Sequence, residues 1–362
     1  IKIVDEIGIV PLHQFGFCAK HSTIEQAHRV TAKIRNALEA KEFCPAIYLD
    51  VQQAFDRVWI PGLLHKMSEY IPMPYTRLLQ SYLTDRKFEV HHEEAVSAIK
   101  SIQAGVPQGS VLGPLLYVLF TADIPITGET ELATFADDTA ILASHHQYEK
   151  AVANLQDAVT KITEWTKSWK IKLNTNKTVY VMYTLRSCPP TYITINMERI
   201  ATSPSAKYLG LNIDSSLNWK IHIEKKREEL KLRFRSLFWL IRARSKLSLD
   251  NKRLLYVSIL RPMWTYGALI WGCAAKSNIE ILQRQQNLII RKITGAPWYL
   301  TNQDLHHDVR LPTVHQVIQK LSAAYEKRIL QHTNILAIQL MDNPTVRRLR
   351  RRHYTDLLLN VN

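Results

Sequence analysis

Glu131-Leu-Ala-Thr-Phe135-Ala-Asp137-Asp138-Thr139-Ala-Ile-Leu-Ala143 is made of two short apolar runs that meet on a pair of carboxylates. Runs of this length and composition read as strands over 131–135 and 139–143, and Asp is a turn former, so the pair falls where a tight hairpin turn belongs. A second apolar run, Ala46-Ile-Tyr-Leu-Asp50-Val51, also ends in a carboxylate and reads as a buried strand. Carboxylates in apolar strand contexts are costly to bury unpaired, so something positive must neutralise Asp50, Asp137 and Asp138. Hard divalent cations do this through carboxylate oxygens, one or two per ion, with substrate phosphates completing the shell. Two such ions about 3.5–4 Å apart stabilise both the attacking and the leaving oxygen of an in-line phosphoryl transfer. An Asp-Asp turn is ordinary by itself, and its meaning depends on what surrounds it.

Outward from these strands, Ala54 to Tyr70 reads as a helix. Lys87–Val90 and Ala95–Ile99 read as a hairpin, and Leu112–Ala122 as a buried helix. His146–Trp169 reads as an amphipathic helix, with apolar Val152, Leu155, Val159, Ile162 and Trp165 three or four apart. Thr178–Tyr183 and Tyr208–Ile213 return to strands. Gly and Pro are sparse, 11 and 15, yet four of the Gly lie between Gly105 and Gly128, which marks a shaped loop before the Leu112 helix. From Trp219 onward the periodicity is wholly helical, with Leu230, Phe234, Leu237, Phe238 and Ile241 as one packing stripe.

The chain has 362 residues, 47 Lys and Arg against 32 Asp and Glu, and a net charge of +15. Residues 1–219 are balanced, with 21 basic and 22 acidic side chains, whereas 220–362 carry 26 and 10. A charge break coinciding with the change of periodicity places a domain boundary near 219, and an excess confined to one part points to a polyanionic partner. With 46% hydrophobic residues, wholesale disorder is excluded. No apolar run reaches the length of a membrane span, and no apolar face beside the basic clusters supports a membrane-surface protein attracted by its charge, so no membrane partner is expected. The four Cys (Cys18, Cys44, Cys188, Cys273) are far apart, with no CxxC pair, and read as reduced thiols of an intracellular protein. His306, His307, His315 and Cys273 lack the spacing of a metal site. The sequence opens on Ile1 in text that reads like the middle of a domain, which suggests a fragment.

Five motifs in order give this pattern a family. They are Phe15-Gly16-Phe17 with His21-Ser22-Thr23; Tyr48-Leu-Asp50-Val-Gln-Gln-Ala-Phe55-Asp56-Arg-Val-Trp59; Gly105-Val-Pro107-Gln108-Gly109-Ser110-Val-Leu-Gly113-Pro114; Phe135-Ala-Asp137-Asp138; and Trp169-Lys-Ile-Lys-Leu-Asn174-Thr-Asn-Lys177-Thr178 followed by Tyr208-Leu209-Gly210. In order and spacing they resemble the reverse transcriptase of non-LTR retrotransposons. Ser258-Ile-Leu-Arg261-Pro262-Met-Trp264-Thr-Tyr266-Gly267 and Gln285-Gln-Asn287 resemble the region after the palm in the jockey-type group.

The resemblance implies an α+β right-hand polymerase. Its parts would be partial fingers (1–45), a palm with an antiparallel sheet (46–218, with finger elements inserted around 60–100), a helical thumb (219–300) and a C-terminal helical region with a basic tail (301–362). It implies an RNA template, a DNA primer and dNTPs, with two Mg²⁺, or Mn²⁺ in their place, on Asp50, Asp137 and Asp138. The Val51 carbonyl would face a metal and Gln108-Gly109 the nascent pair. Phe55 would be a steric gate against ribonucleotides, or alternatively a helix core residue. Lys177 would either act on the leaving pyrophosphate as a general acid or simply be solvated. Tyr208, Leu209 and Gly210 would support the primer, and Lys226, Arg227, Lys231 and Arg235 would grip the duplex, with Phe234, Phe238 and Trp239 mostly in the core. Arg347-Arg348-Leu-Arg350-Arg351-Arg352 would be a second basic patch, a solvated tail or a nuclear-localisation-like cluster. Such elements normally carry an endonuclease, expected upstream and absent here, as is the start of the fingers before Gln14. Work at a nick in target DNA implies nucleus as well as cytoplasm.

Four positions depart from the family pattern. Cys18 stands where Arg usually grips the triphosphate, with Lys20 nearby as a point charge lacking bidentate geometry. Gln52 and Gln53 replace a usual Ser and Lys, and Ile60 a usual His. The alternative reading these changes raise is a catalytically inactive, nucleic-acid-binding remnant.

Overall fold

Strand β1 (Cys44–Leu49) is buried at all six positions, as expected of a strand in the middle of a sheet covered on both faces. In the computed structural model, which describes residues 4, 7–342, 347–349 and 351–358, it is flanked by two antiparallel neighbours. With β2 (Thr130–Phe135), β3 (Asp138–Ala143) and β4 (Val179–Tyr183) it forms a four-stranded sheet in the order β2-β3-β1-β4. The register pairs Tyr48 with Ala140 and Leu49 with Thr139.

Side chains alternate across this sheet. Ile47, Leu49, Leu132 and Ile141 share one face and pack against Leu155, Val159 and Ile162 of helix α5, defined below. Helix α1 (Thr23–Glu39) covers the other face, where Arg29 is ion-paired to Glu131 at 3.1 Å and donates to the Leu132 carbonyl at 2.8 Å. A second cluster joins α2 (Ile60–Tyr70), α3 (Met73–Leu83) and α4 (Leu112–Phe120) through Leu63, Met67, Leu83, Leu116 and Phe120. Helix α5 is Tyr148–Ser168, close to the stretch its periodicity predicts.

Three local expectations are corrected. The helix expected from Ala54 starts at Ile60, because residues 52–58 spend their backbone hydrogen bonds elsewhere: Gln52 N–H on Lys172, Val106 N–H on Phe55 and Gly105 N–H on Val58. The strand expected over 208–213 is broken after Tyr208 by a turn in which Leu209 and Gly210 have φ of +43° and +78°. A hairpin of Tyr192–Ile195 with Glu198–Ala201 was not expected; its signal was Asn196 at a turn requiring positive φ. Lys87–Ser101 pairs only two residues at a time, Lys87-Phe88 with Lys100-Ser101 and His91-His92 with Ala95-Val96.

The chain divides into two compact units, Ile1–Leu209 and Gly210–Asn362. This break precedes the change in charge at 219, because strand Leu211–Asp214 is tied to the helix that follows it. Asn212 N–H donates to His222 Nδ1, Lys225 Nζ donates to Asn212 Oδ1, and the Asp214 carboxylate accepts from the N–H groups of Asn218 and Trp219. The second unit is helical. Helix α6 (Lys220–Ile241) packs on α7 (Lys276–Thr294), and α8 (Asn302–Asp308) and α9 (Val314–Ile329) follow, around buried Tyr256, Trp264, Trp271 and Ile289. The mixture of helices with antiparallel strands bears out the α+β class. No helix among the described residues is long and apolar enough to cross a membrane.

Candidate active site

Asp50 follows directly on β1, and Asp138 is the first residue of β3. Continuing the β1–β3 register by one residue sets Asp50 opposite Asp138, while Asp137 occupies the two-residue turn between β2 and β3. Two strands whose interiors are apolar thus deliver three carboxylates to one end of the sheet. The first consequence is electrostatic. Burial, then the charges of Asp137 and Asp50, push the Asp138 carboxyl up to about 6. Burial and the Asp50 charge also raise Asp137, against a lowering by its own backbone N–H. Among the described residues no three or more His, Cys, Asp or Glu side chains form a ready-made metal cage. The donor set is nonetheless one that suits a hard divalent cation: carboxylate oxygens only, mutually repelling, and open to further ligands.

Asp50 and Asp137 line an open cleft with Val51, Gln52, Phe55, Gln108, Asn174 and Lys177; Asp138 stands opposite Asp50 in the sheet and is not among the lining residues. Asn174–Thr178 is laced to β1: Asn174 N–H donates to the Asp50 carbonyl at 2.8 Å, and the Asp50 N–H points to the Thr178 hydroxyl at 3.4 Å. That lacing brings exposed Lys177 into the cleft. The Asp50 carbonyl accepts from Asn174, and Val51 bridges to Leu173 on the opposite strand edge.

Phe55 is half-buried and held on two sides. It stacks on Tyr117 (centroids 4.8 Å apart, planes 26°) and meets Phe17 edge-on at 6.0 Å. It lies in the irregular segment before α2, so the reading of it as a helix residue is corrected; one edge faces the cleft. Gly105 has φ of +88°, and a Cβ there would lie 2.6 Å from the Asp56 carbonyl oxygen, so only glycine lets the 105–109 loop close on this segment. Gln108 donates to Asp56 at 2.9 Å across the same seam, and Gly109 follows at φ +79° with open space around it.

No motif or periodicity singles out Gln14, and the geometry makes it prominent. Its side-chain Oε1 accepts from Gly16 N–H at 2.7 Å and from Ala136 N–H at 3.0 Å, while its Nε2 reaches the Ala136 carbonyl at 3.4 Å. Ala136 immediately precedes Asp137 and sits at φ +56°, which L residues adopt only when held there. Phe15 N–H donates to Thr134, and Gly16 lies so close that a Cβ would be 2.1 Å from the Ala136 nitrogen. The Phe15-Gly16-Phe17 motif therefore clamps the carboxylate turn. Cys18 points back onto the same segment, its thiol against the Gln14 and Gly16 carbonyls.

Other expected site residues lie elsewhere. Lys20, exposed at φ +65°, does not line the cleft. Tyr208 is corrected to a core residue: it is buried, packs 5.3 Å from Tyr48 and donates to the Ala133 carbonyl at 3.3 Å, beneath the sheet rather than on a nucleic-acid surface. Of the four cations expected on α6, three are paired locally, Lys226 with Glu229 and both Arg227 and Lys231 with Glu228; Arg235 is exposed. Phe238 and Trp239, expected mostly in the core, are exposed, Trp239 at 70%, because the buried stripe of α6 is narrower than expected and runs through Leu230, Phe234 and Ile241. In the basic tail Arg347 pairs with Asp356 and Arg351 donates to the Ser216 carbonyl, so these two are not a solvated patch; Arg350 lies outside the described residues. His306 is a buried structural residue between the Leu311 carbonyl and Asn287.

Comparison with known proteins gives this arrangement its context. The chain is 41% identical over 363 residues to the probable RNA-directed DNA polymerase from transposon X-element of Drosophila melanogaster, covering 99% of this chain and 40% of that protein. It is 38% identical over 368 residues to the RNA-directed DNA polymerase from mobile element jockey of Drosophila funebris, covering 96% and 40%. The chain thus spans about 40% of the length of these relatives. Telomerase from Candida albicans, solved with a fragment of telomeric RNA, matches at 14% identity and a TM-score of 0.42, over 96% of this chain and 57% of that one. The model of the family described as Reverse transcriptase (RNA-dependent DNA polymerase) matches residues 2–213, more than half of the chain and the whole stretch that carries the carboxylate cleft. The chain belongs to the reverse transcriptase family.

Proposed function

We propose that this chain extends a DNA primer on an RNA template from dNTPs, as the polymerase part of a non-LTR retrotransposon. The observation that carries this reading is the set of three carboxylates at one end of the antiparallel sheet, two of which, Asp50 and Asp137, line a cleft shared with Phe55, Gln108 and Lys177. Reverse transcriptases use divalent metal ions, and here Asp50, Asp137 and Asp138 would hold two Mg²⁺, or Mn²⁺. Such ions supply a Lewis acid for the phosphates and lower the cost of bringing negative charge to the cleft.

The chain's own residues would do the rest. Phe55, fixed by Tyr117 and Phe17, offers a rigid edge under the nucleotide sugar and leaves no room for a 2′-hydroxyl. Gln108 and Gly109 form an exposed turn from which a side-chain amide and an unobstructed backbone can meet the nascent pair. Lys177 can supply a proton to the leaving pyrophosphate, and the Val51 carbonyl adds an oxygen beside Asp50. Lys20 would act at a distance on the triphosphate as a point charge. In this reading 1–45 are partial fingers, 46–218 the palm with finger elements near 60–100, 219–300 the thumb and 301–362 the C-terminal region. Leu209, Gly210 and Arg235 would touch primer or duplex. Priming at a nick in chromosomal DNA would take the protein to the nucleus.

The test is incorporation of labelled dNTP on an RNA template with a DNA primer and Mg²⁺, with Asp137→Ala as control. Extension by the natural chain and none by the variant is expected. A natural chain that binds template–primer yet incorporates nothing would replace this reading with that of an inactive remnant.

A further inference from the structure

The helical unit holds a cleft that the polymerase reading leaves unused. It lies between the C-terminal end of α6, the middle and end of α7, and the loop leading into α8. Arg242, Arg244, Arg284 and Lys292 line it together with Phe238 and Trp298. No carboxylate lines it, and among the described residues none of these four cationic side chains has an ion pair or hydrogen bond. Lys226, Arg227 and Lys231 of α6, by contrast, are paired with Glu228 and Glu229. Four like charges gathered in one concavity repel each other, and an anionic partner relieves that repulsion.

The aromatic side is equally specific. Trp298 is 90% exposed, and yet its loop is fixed: Arg291 donates to the Pro297 carbonyl at 3.1 Å, to the Leu300 carbonyl at 2.6 Å and to Asn302 Oδ1 at 3.2 Å. The floor is fixed as well. Ala243 N–H donates to the Lys292 carbonyl, and Gly295, at φ +72°, sits where a Cβ would come 2.9 Å from the Ala243 Cβ. A large ring carried into water by a fixed loop, beside unpaired cations, is an apolar face awaiting a planar partner.

We propose that this cleft binds a single-stranded stretch of RNA, with phosphates on Arg242, Arg244, Arg284 and Lys292 and an unpaired base stacked on Trp298. A polyanion with exposed ring faces meets both features at once. A duplex hides its base faces, an acidic peptide has no need of the ring, and a concave site does not fit a flat lipid surface. The choice of RNA over DNA rests on the proposed use of an RNA template.

The test is fluorescence anisotropy of the full chain with a labelled 12-nucleotide single-stranded RNA, without dNTP or divalent metal. Trp298→Ala should weaken binding about tenfold, the scale of one lost base stack. Arg244→Glu with Arg284→Glu should weaken it further and flatten the dependence on salt by roughly 0.7 in the log–log slope for each cation removed. Both variants lie at exposed positions, and unchanged thermal unfolding verifies that they fold. A blunt RNA duplex should lose nothing with Trp298→Ala. The proposal is overturned if Trp298→Ala binds the single strand as the natural chain does, if the duplex loses as much, if single-stranded DNA is preferred, or if an acidic peptide or anionic vesicle competes the RNA away at lower charge concentration. Asp137→Ala should bind this RNA normally, and a natural chain that binds this RNA yet extends no primer would sink the polymerase reading alone.

Discussion

Replacing Gln14 with Met keeps the volume and removes every hydrogen bond the amide makes. The N–H groups of Gly16 and Ala136 both donate to Gln14 Oε1, and each buried donor left without a partner costs about 1–3 kcal/mol. Because the Ala136 contact is only part-buried, the loss for the turn is about 2–4 kcal/mol. That exceeds the roughly 1–2 kcal/mol needed to hold an L residue at positive φ, so Ala136 is freed to leave its conformation. Asp137 is the next residue and moves with it. A displacement of ~1 Å in a reacting group costs about 100-fold in rate. Gln14→Met should therefore lower kcat for primer extension by about that factor and raise the Mg²⁺ concentration needed for half-maximal activity, while template–primer binding holds. Tb³⁺ luminescence titration of the chain alone gives a second reading of the carboxylate site. The matched control is Gln26→Met. Gln26 is equally buried but donates to the His13 and Thr134 carbonyls, supporting the strand rather than the turn. If Gln14→Met and Gln26→Met lower the melting temperature alike and neither alters metal dependence, Gln14 is a packing residue and the reasoning fails.

Phe55→Ala should admit ribonucleotides in primer extension; if rNTP incorporation stays as poor as in the natural chain, the gate lies elsewhere. His13 and His222 are each held down to about 4 by burial, then by Arg29 for the first and by Lys226 and Lys225 for the second. Both stay neutral when folded and gain protons when unfolded, so each contributes about 3 kcal/mol that is present above pH 6.5 and lost as pH falls toward 4. Melting temperature against pH should drop across that window, and His222→Asn should flatten part of the drop; an unchanged slope would refute the assignment. Leu155→Ala, at a fully buried position against Ile47 and Ile141, should destabilise the first unit by about 2–5 kcal/mol in denaturant unfolding.

What the sequence made legible is what repeats or what contrasts. The strands of the sheet announce themselves as short apolar runs, and helix α5 by its 3.6-residue period, so both are placed within a residue or two of where they lie. Asp50, Asp137 and Asp138 stand out because a carboxylate at the end of an apolar run needs an explanation. Gln14 carries no such signal. It is one polar residue in an irregular segment, and only the path of the backbone brings it beside Ala136, 122 positions away. The helix expected from Ala54 failed for the same reason: propensity cannot foresee that Phe55 and Val58 will give their carbonyls to the 105–106 loop.

The basic half teaches a different lesson about charge. A count of Lys and Arg locates an excess but does not say which cations are already satisfied. On α6 the residues that look like a phosphate-binding row sit among Glu228 and Glu229: Lys226 with Glu229 and Lys231 with Glu228 are three residues apart on the helix surface, where such pairs meet, and Arg227 reaches its neighbour Glu228. An anion arriving there must compete with carboxylates already in place. At the end of the same helix Arg242 and Arg244 have no acidic neighbour within a helical turn, and the fold adds Arg284 and Lys292 from α7 to the same concavity. The uncompensated charge therefore begins at Arg233 and Arg235 in the second half of α6 and gathers into a concavity at its end. Binding there costs less because no existing ion pair is broken, which is why the cleft beside Trp298, and not the longer basic row, is where a salt-dependent contact with nucleic acid should be sought.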